Sequence, residues 1–342
     1  MGLRDEAVPV TETVLSGLRP TGRVHLGNYF GAVKNWVDLQ DSGAYRCFFF
    51  VADLHALTTD YADTGPLAAY TRDAVLDWLA VGLDPEKATI FLQSRVPQHA
   101  ELALYFSMIT PLGWLERVPT YKDQIEQLRS KDLGTHGFLG YPVLMTADIA
   151  VYRAQHVPVG EDQASHLEIC REIVRRFNSL YGETFPEPRA LYTPTPKING
   201  VDGRKMSKSY NNTIGVTEPA ESVAQKVMAM VTDPARARRQ DPGNPDNCNL
   251  FPFHLLYSPP AEVQIVDVEC RTAARGCVDC KKHLISNLNP ALERFRQKRE
   301  EILSSPIDVV RAVLHAGDEQ ARAAAEETME SVRAAVQLSP EP

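Results

Sequence analysis

The chain has 342 residues, 44% of them hydrophobic, which is enough for two domains that each bury a core. Its net charge of −8 argues against a protein that coats nucleic acid without specificity, because that mode needs a broad positive surface. The N-terminal "MGLRDEAVPV" carries charges where a secretory signal needs an apolar run, and "CFFFVADLHAL" is too short to span a bilayer. We therefore expect a cytoplasmic protein with no membrane segment.

Short apolar runs alternate with longer amphipathic stretches in the first half of the chain. The runs that predict buried strands are "ETVLSGL", "RCFFFVADL", "ATIFLQS" and "HVPVG". The stretches that predict helices are "GNYFGAVKNWVDLQ", "PLAAYTRDAVLDWLAVGL" and "HAELALYFSMIT". Because this alternation implies a parallel sheet covered on both faces, residues 1–197 are expected to form an α/β, Rossmann-like, doubly wound domain that binds a nucleotide.

The second half, residues 198–342, has helical periodicity instead. Its predicted helices are "PAESVAQKVMAMV", "CKKHLISNLNPALERFRQKREEILSS", "PIDVVRAVLHAG" and "DEQARAAAEETMESVRAAVQ", with capping or breaking residues between them. A C-terminal helical domain is expected.

The segment "RPTGRVHLGN", residues 19–28 and here called the nucleotide loop, joins the first predicted strand to the first predicted helix. Glycines there let the backbone approach a ligand, and the first N–H groups of the helix can bind phosphate or ribose oxygens. His25 and Asn28 are placed to donate hydrogen bonds to phosphate. The loop lacks the glycine spacing of dinucleotide enzymes.

The segment "RKMSKSYNN", residues 204–212 and here called the lysine loop, would by itself be a solvated basic turn. Taken together, "HLGN" and, about 180 residues later, "KMSKS" resemble the paired motifs of class I aminoacyl-tRNA synthetases. The resemblance implies that the first motif binds ATP, with Mg²⁺, and that the lysines of the second stabilise its triphosphate. The residues it makes catalytic are Lys205, Lys208, His25 and Asn28.

The segments "YPVLMTADIAVY", "VPVGEDQASHLEI" and "PKINGVDGRKMSKSYNN" narrow the resemblance to the tryptophanyl-tRNA synthetases. It implies that Asp148 accepts the indole N–H of L-tryptophan in a pocket with Met145, Val157, Val159 and Gln163. The carboxylates of "GED" suit a helix N-terminus on their own, and the resemblance adds ATP contact. The ATP-binding residues it implies are Arg19, Pro20, Thr21, Gly27, Asn28, Gly160, Glu161, Asp162, Ile198, Lys205, Met206, Ser207, Lys208 and Ser209.

Four of the six cysteines have the spacing C-x21-C-x6-C-x2-C, and we call Cys248, Cys270, Cys277 and Cys280 the cysteine group. Four thiolates suit either structural zinc or an iron–sulfur cluster, and spacing alone does not separate the two. Some bacterial members of the resembled family carry a nearly matching set that holds a 4Fe-4S cluster. That resemblance favours the cluster, with zinc as the alternative.

The resemblance also implies tRNA(Trp) as a partner and a homodimer, with Arg275, Lys281 and Lys282 as candidate tRNA contacts. Three other functions stay open on the residues. They are a tyrosyl-tRNA synthetase, a synthetase-like RNA-binding paralogue that does not aminoacylate, and a general ATP-dependent nucleotidyltransferase.

Overall fold

The computed structural model describes residues 12–118, 133–160, 164–192 and 198–338. Its strands are β1 (Glu12–Leu18), β2 (Tyr45–Val51), β3 (Ala88–Leu92), β4 (His156–Val159) and β5 (Arg189–Tyr192). The helices as far as β4 are α1 (Leu26–Asn28), α2 (Lys34–Ser42), α3 (Asp53–Asp60), α4 (Leu67–Ala80), α5 (Gln98–Ile109), α6 (Leu112–Leu115), α7 (His136–Leu139) and α8 (Tyr141–Val151). The later helices are α9 (Ala164–Tyr181), α10 (Ala220–Ala229), α11 (Phe251–Tyr257), α12 (Pro260–Arg271), α13 (Cys277–Leu303) and α14 (Val309–Ala335).

The strands form one parallel sheet in the order β3-β2-β1-β4-β5 within the described part of the chain. The chain reverses its winding direction between β1 and β4, so the crevice beyond their carboxyl ends is where a doubly wound sheet binds its ligand. This confirms the predicted Rossmann-like class and its four predicted strands. The fifth strand, β5, was not predicted; none of its four residues is buried, so it lacks the apolar run that marks a buried strand.

Both faces of the sheet are covered, as the unbroken apolar run in β2 requires. Phe49 of β2 stacks on Trp36 of α2, with ring centroids 4.8 Å apart, on one face. Phe48 of the same strand faces the other side, where it stacks on Tyr152 at 4.6 Å. Alternate side chains of one strand therefore supply two separate cores.

The helix that follows the nucleotide loop does not keep α-helical geometry throughout. Between α1 and α2 the residues Tyr29–Val33 form a π-helical turn. Such turns are rare and are found mostly at functional sites. The predicted helix here is confirmed, and its π turn lies directly behind the nucleotide loop.

The last helix, α14, runs unbroken through Gly317, so the predicted break between residues 317 and 318 is wrong. The reason is packing against the sheet. A Cβ atom added at Gly317 would lie 1.8 Å from the backbone oxygen of Ile90 in β3. Here glycine permits close contact between a helix and a strand rather than ending the helix. The division of the chain at residue 197 stays a prediction, but α14 packs on the sheet of the first part.

No helix in the described ranges combines the length and the apolar character that crossing a membrane would need.

Candidate active site

The nucleotide loop leaves the carboxyl end of β1, beside the point where the strand order reverses. Gly22 has a φ of +91°, a left-handed conformation that a side chain would strain. Thr21 donates its backbone N–H to the carbonyl of Arg19 at 2.9 Å, which closes a tight turn. The loop thus brings backbone groups to the edge where the phosphates of a nucleotide would bind.

His25 caps the helix that begins at Leu26. Its Nδ1 accepts the backbone N–H of Asn28 at 3.2 Å, which leaves the proton of a neutral ring on Nε2. Burial, helped by the positive charge of Lys208, lowers the pKa of His25 to about 4. His25 is therefore neutral near pH 7, and it can donate a hydrogen bond from Nε2 without adding charge.

The lysine loop and the nucleotide loop are in direct contact. The Nζ of Lys208 donates to the backbone oxygen of Thr21 at 2.6 Å. The backbone N–H of Gly27 points to the sulfur of Met206 at 3.3 Å, and a Cβ at Gly27 would lie 3.3 Å from the Cβ of Met206. Burial lowers the pKa of Lys208 to about 8, partly offset by the charges of Asp77 and Asp73. The two motifs paired in the sequence analysis thus form one site.

Asn212 organises the lysine loop, and sequence reasoning assigned it no role. It is buried, accepts the backbone N–H of Ser207 at 2.8 Å, and donates to the backbone oxygen of Lys205 at 3.1 Å. A Cβ at Gly200 would lie 2.2 Å from its Cγ, so the amide fits tightly against backbone. Lys205 itself is exposed.

Asp148 is buried, and three side chains bind its carboxylate. Its Oδ1 accepts from Gln93 at 2.7 Å and bonds Nδ1 of His99 at 2.7 Å, and its Oδ2 bonds Nε2 of His55 at 2.8 Å. Burial opposes its charge, but His55 and His99 outweigh that effect and hold the pKa at about 2. A carboxylate has about four acceptor positions, and the described residues fill three of them, so they leave one on Oδ2 for a further donor.

The other predicted residues differ in their exposure. Three are buried, namely Pro20, Val157 and Ile198, and four are partly buried, namely Met145, Val159, Gly160 and Ser207. Arg19 and Thr21 are exposed. Glu161, Asp162 and Gln163, together with the side chain of Ser209, lie outside the described residues. Gln93, His55 and His99 were not predicted, although a polar side chain inside "CFFFVADLHAL" is a signal that could have pointed to His55.

The cysteine group lies in the helical part, and its members are free thiols of intermediate exposure. Burial and neighbouring members of the group raise the pKa of Cys280 to about 12 and also raise the pKa of Cys270. A Cβ at Gly243 would lie 2.7 Å from the sulfur of Cys270, so this backbone is pressed against the group. Across the described residues, no three His, Cys, Asp or Glu side chains converge closely enough to hold one metal ion. The predicted metal site at the cysteine group therefore stays a prediction.

Two of the candidate tRNA contacts are engaged within the protein. Arg275 bonds Glu269 at 2.6 Å and His283 at 3.0 Å. Lys281 donates to the backbone oxygen of Met228 at 2.9 Å. Lys282 is exposed, so of the three it is the one whose charge faces solvent.

Comparison with known proteins shows the family that this chain resembles. The sequence model of the family described as "tRNA synthetases class I (W and Y)" matches residues 11–293. A tryptophan–tRNA ligase of Thermotoga maritima is 52% identical over 326 residues, which are 95% of this chain and 99% of that protein. One of Aquifex aeolicus is 42% identical, covering 95% of this chain and 99% of that protein. The crystal structure of tryptophanyl-tRNA synthetase from Campylobacter jejuni, complexed with ADP and tryptophan, is 34% identical with a TM-score of 0.84, covering 95% of this chain and 99% of that chain.

Proposed function

Since this chain belongs to the class I tRNA synthetases for tryptophan and tyrosine, we propose that it activates L-tryptophan with ATP between the nucleotide loop and the lysine loop and transfers it to tRNA(Trp). It is a tryptophan–tRNA ligase, as its similarity to such enzymes over almost the whole chain indicates. The observation that carries the residue assignment is the contact of Lys208 with Thr21, which joins the two loops.

In the first step, an oxygen of the tryptophan carboxylate attacks the α-phosphorus of ATP. The bond to the bridging oxygen breaks, and pyrophosphate leaves with the electron pair. Lys208 and Lys205 stabilise the charge that develops on pyrophosphate, while neutral His25 and the backbone N–H groups at Gly27 and Asn28 bind phosphate oxygens. Mg²⁺ supplies further charge neutralisation when it binds with ATP.

The nucleotide is expected to span the crevice at the switch point of the sheet. Arg19, Pro20 and Thr21 approach it from β1 and Gly160 from β4, while the buried Ile198 packs nearby. The remaining proposed ATP contacts are Met206, Ser207, Ser209, Glu161 and Asp162.

For tryptophan, the proposed selector is the remaining acceptor position on Asp148. The indole nitrogen is only a donor, so it matches an ionised carboxylate whose other positions are filled. Met145, Val157 and Val159 would line the ring, and Gln163 would complete the pocket. A substrate without that donor would leave a buried carboxylate oxygen unpaired, which is costly.

In the second step, a ribose hydroxyl of tRNA(Trp) attacks the carbonyl carbon and AMP leaves. Neither step requires a protein nucleophile. We further propose that the enzyme works in the cytoplasm as a homodimer, the assembly typical of this family.

The test is tryptophan-dependent exchange of labelled pyrophosphate into ATP, followed by charging of tRNA(Trp). Tyrosine in place of tryptophan is the control. Exchange with tyrosine but not tryptophan would make the protein a tyrosyl enzyme. Exchange without charging would favour a paralogue that does not aminoacylate.

We also propose that the cysteine group holds a 4Fe-4S cluster rather than zinc. Four thiolates suit either centre, because zinc and a 4Fe-4S cluster both accept four cysteines. What favours the cluster is the near match of this spacing to the set that holds one in some bacterial members of the family. When bound, it would brace the helical part, and its binding must displace the thiol protons.

Purification without oxygen should give a brown protein with broad visible absorbance and about four irons per chain. Cys277→Ser with Cys280→Ser should lose the iron, while Cys47→Ser, at a buried core thiol, should keep it. A colourless preparation that contains zinc would refute the cluster.

A further inference from the structure

Asp77 is a fully buried carboxylate in the apolar helix α4, and it is not among the site residues assigned above. Its neighbours Leu76 and Trp78 are buried hydrophobic residues. Burying a charge without partners costs roughly several kcal/mol, so the oxygens of a buried carboxylate need hydrogen-bond donors. Its partners therefore show what it holds in place.

Asp77 binds three separate parts of the chain. Its Oδ2 accepts the backbone N–H of Val24, in the nucleotide loop, at 2.7 Å. Its Oδ1 accepts the hydroxyl of Thr217, which follows the lysine loop, at 2.7 Å. The same oxygen accepts from Arg299 of α13 at 2.6 Å. One carboxylate thus joins the nucleotide loop and the segment after the lysine loop to a long helix of the second half.

Val24 and Thr217 lie at one end of a short antiparallel ladder between the two loops. Val216 donates its N–H to the carbonyl of Val24, and Leu26 donates to the carbonyl of Ile214, both at 2.9 Å. The paired residues between them are His25 and Gly215. The ladder fixes His25 to the segment that leaves the lysine loop, and Asp77 holds both of its strands at the same end.

We propose that Asp77 is a positioning residue for ATP, which sets the nucleotide loop and His25 at the correct distance from the segment carrying Lys208. It acts through Val24 and Thr217 and touches no substrate. Arg299 supplies a positive charge that pairs with the carboxylate in the core. This inference rests on the proposed function, because the reaction it serves is tryptophan activation.

Asp73 provides a matched control. It lies about one turn earlier in α4 and binds the same guanidinium, with 2.5 Å between its Oδ1 and the Arg299 nitrogen. Its charge, like that of Asp77, acts on Lys208. Asp73→Asn therefore tests the loss of an ion pair and of a nearby charge while both bonds from Asp77 to the loops stay in place.

The experiment measures pyrophosphate exchange at varied ATP and at varied tryptophan. Asp77→Asn keeps the shape, but its NH2 group must face either the N–H of Val24 or both Thr217 and Arg299, so a contact that Asp77 makes is lost. We expect kcat/KM for ATP to fall about 10- to 100-fold, because small displacements of aligned groups cost that much. The KM for tryptophan should stay within about twofold, and Asp73→Asn should stay close to wild type in both.

Wild-type ATP kinetics in a folded Asp77→Asn protein would overturn the proposal, and so would an equal loss in Asp73→Asn or an equal loss of tryptophan affinity. If Asp77→Asn does not fold, Thr217→Val and Thr217→Ser decide. The serine variant keeps the hydroxyl and should retain the ATP kinetics that the valine variant loses, and equal kinetics in the two would refute the proposal. Exchange by the wild-type protein in the same assay separates these outcomes from a failure of the proposed function.

Discussion

Burial lowers the pKa values of both His25 and Lys208, but the consequences for the site differ. His25 has a pKa lowered to about 4, so it stays a neutral donor over the physiological range. Lys208 has a pKa lowered to about 8, so a measurable fraction of its amine is neutral in slightly alkaline solution before substrate binds. In slightly alkaline solution, the triphosphate therefore meets a lysine that is only partly protonated. The negative charge of the triphosphate favours the protonated form of that lysine.

The first prediction concerns the charge of Lys208. Lys208→Ala removes the amine that donates to the backbone oxygen of Thr21. We expect the kcat of pyrophosphate exchange to fall about 10²- to 10³-fold, because that is the usual cost of losing one group that stabilises developing charge. Tryptophan affinity, measured by calorimetry, should be retained. Lys87→Ala, at an exposed ion pair with Asp41, is the control and should leave both unchanged. Full exchange activity in Lys208→Ala would remove the lysine from the reaction.

The second prediction concerns pH. Since the protonated form of Lys208 attracts phosphate, kcat/KM for ATP should decline as pH rises through about 8. His25 should contribute no such limb above pH 5, because it is already neutral there. Lys208→Arg keeps the charge at every accessible pH, so its profile should be flat across that interval. A decline that persists in the arginine variant would belong to another group.

Sequence reasoning proposed "KMSKS" and Asp148 as site residues because their motifs are specific, and their roles stay predictions. It did not identify the residues that bind and support them. Gln93, His99 and Asp77 come from different elements, and each meets its partner only after the sheet and helices are assembled. A carboxylate in the apolar stretch "AVLDWLAV" was nevertheless visible as an exception that demanded partners.

At the scale of elements, the difficulty was to tell whether a glycine or a proline ends a helix. Gly317 predicted a helix break but occupies the contact between α14 and β3, where space for a side chain is lacking. Pro290 stands inside α13, and here the predicted continuous helix is confirmed. Periodicity identified the helices, whereas their continuity depends on tertiary contacts that local sequence does not contain.

The third prediction follows from that contact. Gly317→Ala places a methyl 1.8 Å from the oxygen of Ile90, so α14 must move from the sheet, and we expect about 3 kcal/mol of lost unfolding free energy. Thermal unfolding would show it as a lowered midpoint. Gly31→Ala is the matched helical control. Apart from its chain neighbours and its own helix backbone, a Cβ there meets no atom within 4 Å, so stability should hold or rise by about 0.4–1 kcal/mol. Equal midpoints in the two variants would contradict the packing argument.

At the scale of the whole molecule, helices of the second half pack against the first half of the chain. Arg299 of α13 binds Asp73 and Asp77 of α4, and α14 returns to cover β3. Through Asp77, α13 is thus connected to the nucleotide loop by two buried bonds.

The last prediction tests what the helical surface adds to the reaction. Lys282 is exposed, whereas Lys281 is held by the carbonyl of Met228, so Lys282→Glu should be the more informative charge reversal. We expect it to raise the KM for tRNA(Trp), with the increase larger at low salt, because repulsion from phosphate is screened by ions. Pyrophosphate exchange should be unchanged, since the charge lies outside the ATP site. Lys87→Glu reverses a charge in the sheet domain and should alter neither activity. Equal loss of exchange and charging in Lys282→Glu would mean that the substitution acts on the fold rather than on tRNA.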